Sequence, residues 1–129
     1  MLELNKVHHI AIICSDYQKS KHFYTAILGL KIIQEIYREE RESYKLDLSL
    51  NGNFIIELFS FPNSPQRPST PEASGLRHLA FEVNDIEKTR AFLVSNNIPS
   101  EAIRTDVHTQ KRFFFISDPD DLPLEFYEF

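Results

Sequence analysis

The sequence predicts an α+β fold made of two βαβββ modules that form one curved mixed sheet. Three observations carry that prediction. Residues 6–16 (KVHHIAIICSD) and 75–85 (GLRHLAFEVND) have nearly the same form, a histidine opening an alternating apolar run that an aspartate closes. His9 stands seven residues before Asp16, and His78 seven before Asp85. Glu57, in FIIELF, then follows His9 by 48 residues, and Glu125, in LPLEFYEF, follows His78 by 47. Self-similarity at fixed spacing is the mark of one supersecondary unit written twice. The expected organisation is a single domain, 1–129, with module one at about 5–61, a linker at 62–74 and module two at about 75–129.

The first strand is expected over 7–14 and reads as buried on both faces, since Ile10, Ile12 and Ile13 leave little polar edge. By strand parity His9, Ala11 and Ile13 share one face, and Ile10, Ile12 and Cys14 share the other. Asp16 is a good N-cap for a helix running to about Leu28, with Phe23, Ile27 and Leu30 on its apolar side and Gly29 as its left-handed stop. Three strands follow, at about 31–38, 44–50 and 54–61, and Asn51-Gly52 between the last two is a strong hairpin signal. The segment 62–74 (PNSPQRPSTPEAS) holds four of the chain's seven prolines and few apolar residues, so it reads as a joining loop. The plan then repeats. A strand is expected over 76–83, a helix capped by Asp85 to about Asn97, and weaker strands near 101–105, 112–117 and 123–129, with Asp118-Pro119-Asp120-Asp121 as the last turn.

The bulk properties exclude several function classes. A net charge of −5 and a pI near 5.5 argue against a nucleic-acid partner, whose phosphates demand a basic surface. No apolar run approaches the roughly 20 residues that cross a bilayer, so no membrane partner is expected. The start, MLELNK, has no long apolar core behind it, and the expectation is a chain without a secretory signal. One cysteine, Cys14, cannot close an internal disulfide, which fits a reducing cytoplasm. Its expected role is that of a small buried hydrophobe.

Two histidines and two glutamates on strands are a plausible metal set, because neutral imidazole and carboxylate suit first-row divalent ions. Parity places Glu57 on a face with Ile55 and Phe59, and a carboxylate among apolar neighbours needs a compensating charge. A bound cation supplies it, as would a buried arginine or lysine. Each of the four taken singly is as well explained by an ordinary hydrogen bond; the repeated spacing favours metal. His8 has the wrong parity, His22 lies in the first helix and His108 in a loop, so these read as solvated or locally bonded. Lys45, Lys111 and Arg112 are candidate anion contacts that read chiefly as surface charge.

These motifs together resemble the vicinal oxygen chelate superfamily, and within it the small glyoxalase I-like proteins. The similarity covers nearly the whole chain, through HHIAI, FYTAILGL, FIIELF, GLRHLAFEVND and FFFISDPDDLPLEFYE. It implies paired βαβββ modules whose U-shaped sheet holds a divalent ion (Ni, Co, Zn, Mn or Fe), with His9, Glu57, His78 and Glu125 as ligands. It implies a metal-dependent lyase or isomerase working on a small oxygenated metabolite, in which Glu57 or Glu125 also moves a proton, with Glu125 favoured. It further implies a homodimer. The alternatives are a metal-free binding or drug-sequestering protein, whose known members lack the ligand quartet, and an Fe(II) oxygenase. Two positions that help bacterial glyoxalase I bind glutathione hold Ile13 and Phe61 here, so the expected substrate is not the glutathione hemithioacetal. The usual DPDG turn is DPDD, and Asp121 is a residue that tolerates the left-handed conformation.

Overall fold

The computed structural model describes residues 1–129 as two compact units, Met1–Pro65 and Gln66–Phe129. Each unit has a βαβββ plan. In unit 1, β1 (Ile10–Cys14) leads into α1 (Tyr17–His22), which continues as a π-helical segment over Phe23–Ile27. Strands β2 (Lys31–Arg38), β3 (Ser43–Leu50) and β4 (Asn53–Ser60) follow. Unit 2 runs β5 (Leu79–Val83), α2 (Ile86–Ser95), β6 (Arg104–Thr105), β7 (Arg112–Ser117) and β8 (Pro123–Glu128). The sheet orders are β1-β4-β3-β2 and β5-β8-β7-β6, with only β1/β4 and β5/β8 parallel. The α+β class and the two βαβββ modules are as the sequence predicts, but the strands form two four-stranded mixed sheets where one curved sheet was expected. No helix is long and apolar enough to cross a membrane.

Local chemistry explains the starts and stops. Asp16 and Asp85 sit in extended backbone and accept from the backbone N–H of Lys19 (3.1 Å) and Lys88 (3.0 Å), so each caps the helix it precedes. The helix expected to about Leu28 runs as α over Tyr17–His22 and as π over Phe23–Ile27. The Leu28 N–H bonds the Phe23 carbonyl at 3.0 Å, a wider turn that lets two adjacent aromatics, Phe23 and Tyr24, both reach the core. Gly29 (φ +81°) and the Asn51-Gly52 pair (φ 51° and 83°) take up the left-handed turns that follow the π-helical segment and join β3 to β4. Asp121 does the same in the DPDD turn at φ 68°, where Asp118 accepts from the Asp120 and Leu122 N–H groups.

The core of unit 1 lies on one sheet face, with Ile12, Cys14, Leu46, Leu48, Ile56 and Leu58 buried beneath Tyr17, Phe23 and Tyr24. Phe114, Ile116, Leu124 and Phe126 do the same in unit 2 with Ile86 and Leu93. A β1 buried on both faces is therefore corrected: Ile13 is 53% exposed, because helix covers only the Ile12–Cys14 face of the sheet. The uncovered face carries the repeated histidines and glutamates.

Register has one irregularity of consequence. Near the turn, Leu50 pairs Asn53 and Ser49 pairs Phe54, but a bulge then shifts the pairing to Leu48–Ile56 and Asp47–Glu57. Without that extra residue Glu57 would pair with Leu46 and Asp47 with Ile56. The equivalent ladder between β7 and β8 runs without a break and sets Phe115 opposite Glu125.

Candidate metal centre

The parallel pairings set the site. Glu57 pairs Ala11 and Glu125 pairs Ala80, and the histidine two residues before each alanine keeps the same face. His9 Nε2 thereby comes 3.8 Å from Glu57 Oε1, and His78 Nε2 comes 3.8 Å from Glu125 Oε1. The match extends to exposure: both imidazoles are 34% exposed, and the carboxylates 17% and 15%. The four residues singled out by the sequence are thus brought together as two like pairs, one per unit. Nowhere in the chain do three or more His, Cys, Asp or Glu side chains come together as a metal-holding group.

The pairs fit a divalent ion on donor geometry. At 3.8 Å the nitrogen and oxygen are too far apart for a hydrogen bond. They are within the span of two ligand bonds of about 2.0–2.2 Å each to one shared ion. His9 has a neighbour that orients it. Its Nδ1 lies 2.7 Å from His8 Nδ1, one donating and the other accepting, which leaves Nε2 on the glutamate side. Phe54 stacks on His9 with ring centres 4.8 Å apart, and Phe115 meets His78 edge-on at 5.0 Å.

Around the glutamates the two units differ. Lys45, which the sequence reads chiefly as surface charge, is half-buried and holds both Asp47 oxygens at 2.9 Å, with Glu57 Oε2 at 3.4 Å. The Asp47 carboxylate, and Glu57 after it, push the Lys45 ammonium above its ordinary range. Glu57 thus has one oxygen toward lysine and the other toward His9. The matching positions in unit 2 are Phe113 and Phe115, so Glu125 has aromatic carbon where Glu57 has charge.

The remaining candidates fall into place as structural groups. Arg112 donates to Glu128 and Glu87, and those bonds hold its guanidinium above its ordinary range and Glu128 below the usual carboxylate range. Lys111 lies 5.9 Å from the Phe129 ring centre. Arg67 donates to Ser69 and to the Leu76 and Arg77 carbonyls, pinning the loop inside unit 2. Cys14 is 1% exposed, a small core residue as expected. Phe61 stacks on Phe59 at 5.6 Å between ring centres. Sequence reasoning missed the Lys45–Asp47 pair and the rings against His9 and His78. The one available signal was the i, i+2 spacing of Lys45 and Asp47, which puts them on one strand face.

Comparison with known proteins agrees with this architecture. The family model described as "Glyoxalase/Bleomycin resistance protein/Dioxygenase superfamily" matches residues 6–126. The chain is 62% identical over 125 residues to the uncharacterized protein YwkD of Bacillus subtilis (strain 168), covering 97% of this chain and 98% of that one. It is 61% identical over 128 residues to the uncharacterized protein YaeR of Escherichia coli (strain K12), covering 99% of each. A crystal structure of a glyoxalase family protein from Enterococcus faecalis superposes with a TM-score of 0.89 at 46% identity, over 95% of this chain and 97% of that one. More distantly, at 17% identity and a TM-score of 0.75 over 97% of this chain and 93% of that one, the fold is shared with a Listeria monocytogenes fosfomycin resistance protein, FosX, solved with Mn(II).

Proposed function

Because the chain belongs to the Glyoxalase/Bleomycin resistance protein/Dioxygenase superfamily, we propose that it is a metal-dependent lyase or isomerase of the glyoxalase type. Its substrate is a small oxygenated metabolite other than the glutathione hemithioacetal, and it works as a homodimer. The observation that carries the reading is the pair of matched His–Glu contacts, each at 3.8 Å and each on the uncovered face of its sheet. His9, Glu57, His78 and Glu125 would hold the divalent ion, with Ni, Co, Zn, Mn and Fe all compatible with two imidazoles and two carboxylates. When bound, such an ion supplies Lewis-acid stabilisation worth several kcal/mol where negative charge develops on substrate oxygen.

The chain's own groups divide the remaining work. Glu57 is tethered through Oε2 to Lys45, which favours a fixed ligand. Glu125 has Phe115 opposite it on β7 and only the His78 contact at 3.8 Å, so its carboxylate is the one able to swing and carry a proton to or from substrate carbon. Phe54 and Phe115 hold the two imidazole planes and keep water from one side of each ring. The apolar residues of β2, Ile32, Ile33, Ile36 and Tyr37, are 38–52% exposed and offer surface for the second copy.

The substrate test uses Ni, Co, Zn and Mn forms with methylglyoxal and glutathione, alongside mass-spectrometric profiling of a metabolite extract. We expect kcat/KM on the hemithioacetal well below the usual enzyme range of about 10⁴–10⁸ M⁻¹s⁻¹. We also expect at least one extract metabolite to be consumed by the wild type and spared by Glu125→Gln. Hemithioacetal turnover within that range overturns the substrate assignment. An extract untouched by every metal form, or converted equally by Glu125→Gln, overturns the enzymatic one.

A further inference from the structure

We propose that Arg38 and Arg41, braced on Phe59 and Phe61, form a subsite for an anionic group, a carboxylate or a phosphate, of the molecule this protein binds. The Arg38 guanidinium carbon lies 5.1 Å from the Phe59 ring centre and 5.9 Å from that of Phe61. Arg41, from the turn between β2 and β3, approaches Phe61 at 5.0 Å. Two cations therefore share one ring, in a chain whose net charge is −5. Rings at these distances attract a guanidinium. Ring contact occupies the guanidinium face, and the terminal N–H groups remain the donors that suit a carboxylate or phosphate.

The hydrogen-bond inventory points the same way. Arg38 donates from Nη2 to Ser43 Oγ at 3.1 Å, but its Nε is buried without a hydrogen-bond partner. That Nε is closed to solvent, but neither Arg38 nor Arg41 is paired with a carboxylate, so their terminal nitrogens keep N–H donors for an acceptor from outside the chain. The other arginines are committed. Arg77, Arg104 and Arg112 pair with carboxylates, and Arg67 and Arg90 donate to backbone carbonyls. Lys45 is neutralised by Asp47 and Glu57, so it does not compete for the anion.

Position ties the subsite to the candidate metal centre. Phe59 and Phe61 follow Glu57 at alternate positions along the chain, and Phe59 pairs with Lys45 in the sheet. Residues two apart on a strand share a face roughly 7 Å apart. A small metabolite with an anionic end thus reaches Arg38 and Arg41 while its oxygens face Glu57.

The subsite rests on the proposed function only for the anion being part of the substrate; anion binding itself needs no metal. The test is therefore run on metal-free protein, following the guanidinium resonances of Arg38 and Arg41 by NMR during titration with inorganic phosphate and, separately, acetate. A saturable shift with either probe is expected, and the tighter probe names the group. Arg41→Gln, at an exposed position, is expected to weaken binding about tenfold to a hundredfold. Arg38→Gln is expected to abolish it, and Lys19→Gln, on the helix that covers the other sheet face of the same unit, to leave it unchanged. Should Arg38→Gln not fold, Arg41→Gln decides. No saturable shift with either probe, or equal affinity in Arg41→Gln and wild type, overturns the subsite. A protein that takes up Ni(II) but neither anion loses the subsite and keeps the proposed function, and the reverse result does the opposite.

Discussion

At the scale of single residues, Lys45 is the side chain whose removal says most. It bridges Asp47, which is 5% exposed, and Glu57, and without it a buried carboxylate has no cation beside it. We predict that Lys45→Met lowers unfolding free energy by about 1–3 kcal/mol in urea denaturation. Lys45→Met/Asp47→Asn should lose clearly less than the sum of the single variants. Additive losses would mean that the pair is not coupled. The four repeated residues were legible in the sequence, because strand parity and equal spacing are local properties that survive folding. The Lys45–Asp47–Glu57 cluster was not. A two-residue Asn51-Gly52 turn with regular pairing sets Asp47 opposite Ile56, and only the bulge beside Leu48 and Ser49 moves it opposite Glu57. Bulges depend on packing across the whole sheet, and nothing in LSLNGNFII announces one.

Between elements, α1 and β2 are joined by a small polar network. Glu35 accepts from the Tyr17 hydroxyl and from Lys21 Nζ at 2.7 Å. The Lys21 ammonium, with Tyr17 second, holds the Glu35 carboxyl below its ordinary value of 4.5. Burial first, and then Glu35, pushes the Tyr17 phenol up. A carboxyl depressed in the folded state adds stability that is fully present above pH 4.5 and is lost as the pH falls through its folded value. The urea midpoint of the wild type should therefore fall more steeply than that of Glu35→Gln between neutral pH and about pH 3. Parallel profiles would remove Glu35 from the acid response. Strand limits such as Lys31–Arg38 and Arg112–Ser117 agree with those expected from pattern, because apolar runs bounded by turn residues carry them. The π-helical segment escaped, since the period of FYTAILGL does not reveal that Phe23 and Tyr24 must both be buried.

The molecule as a whole is a duplication with divergence. Each unit offers one imidazole and one carboxylate at the same 3.8 Å, so each offers half of a four-ligand set. The surroundings have diverged, with charge around Glu57 and aromatic carbon around Glu125, which suits one fixed ligand and one proton carrier. Two like pairs permit two stoichiometries: one ion for each four-ligand set, or a separate weak site at each pair. The proposed function requires the first. Native mass spectrometry during titration with Ni(II) separates them directly, since it reads assembly and bound ions together. We predict about one ion per 15.1 kDa chain in a two-chain assembly. His9→Ala and His78→Ala should each lower affinity for that same ion by more than about a hundredfold, beyond the usual effect of losing an outer-shell partner, and His8→Ala by far less. Binding of two ions per chain, each lost in only one of the two variants, or no stoichiometric ion at all, would contradict the account.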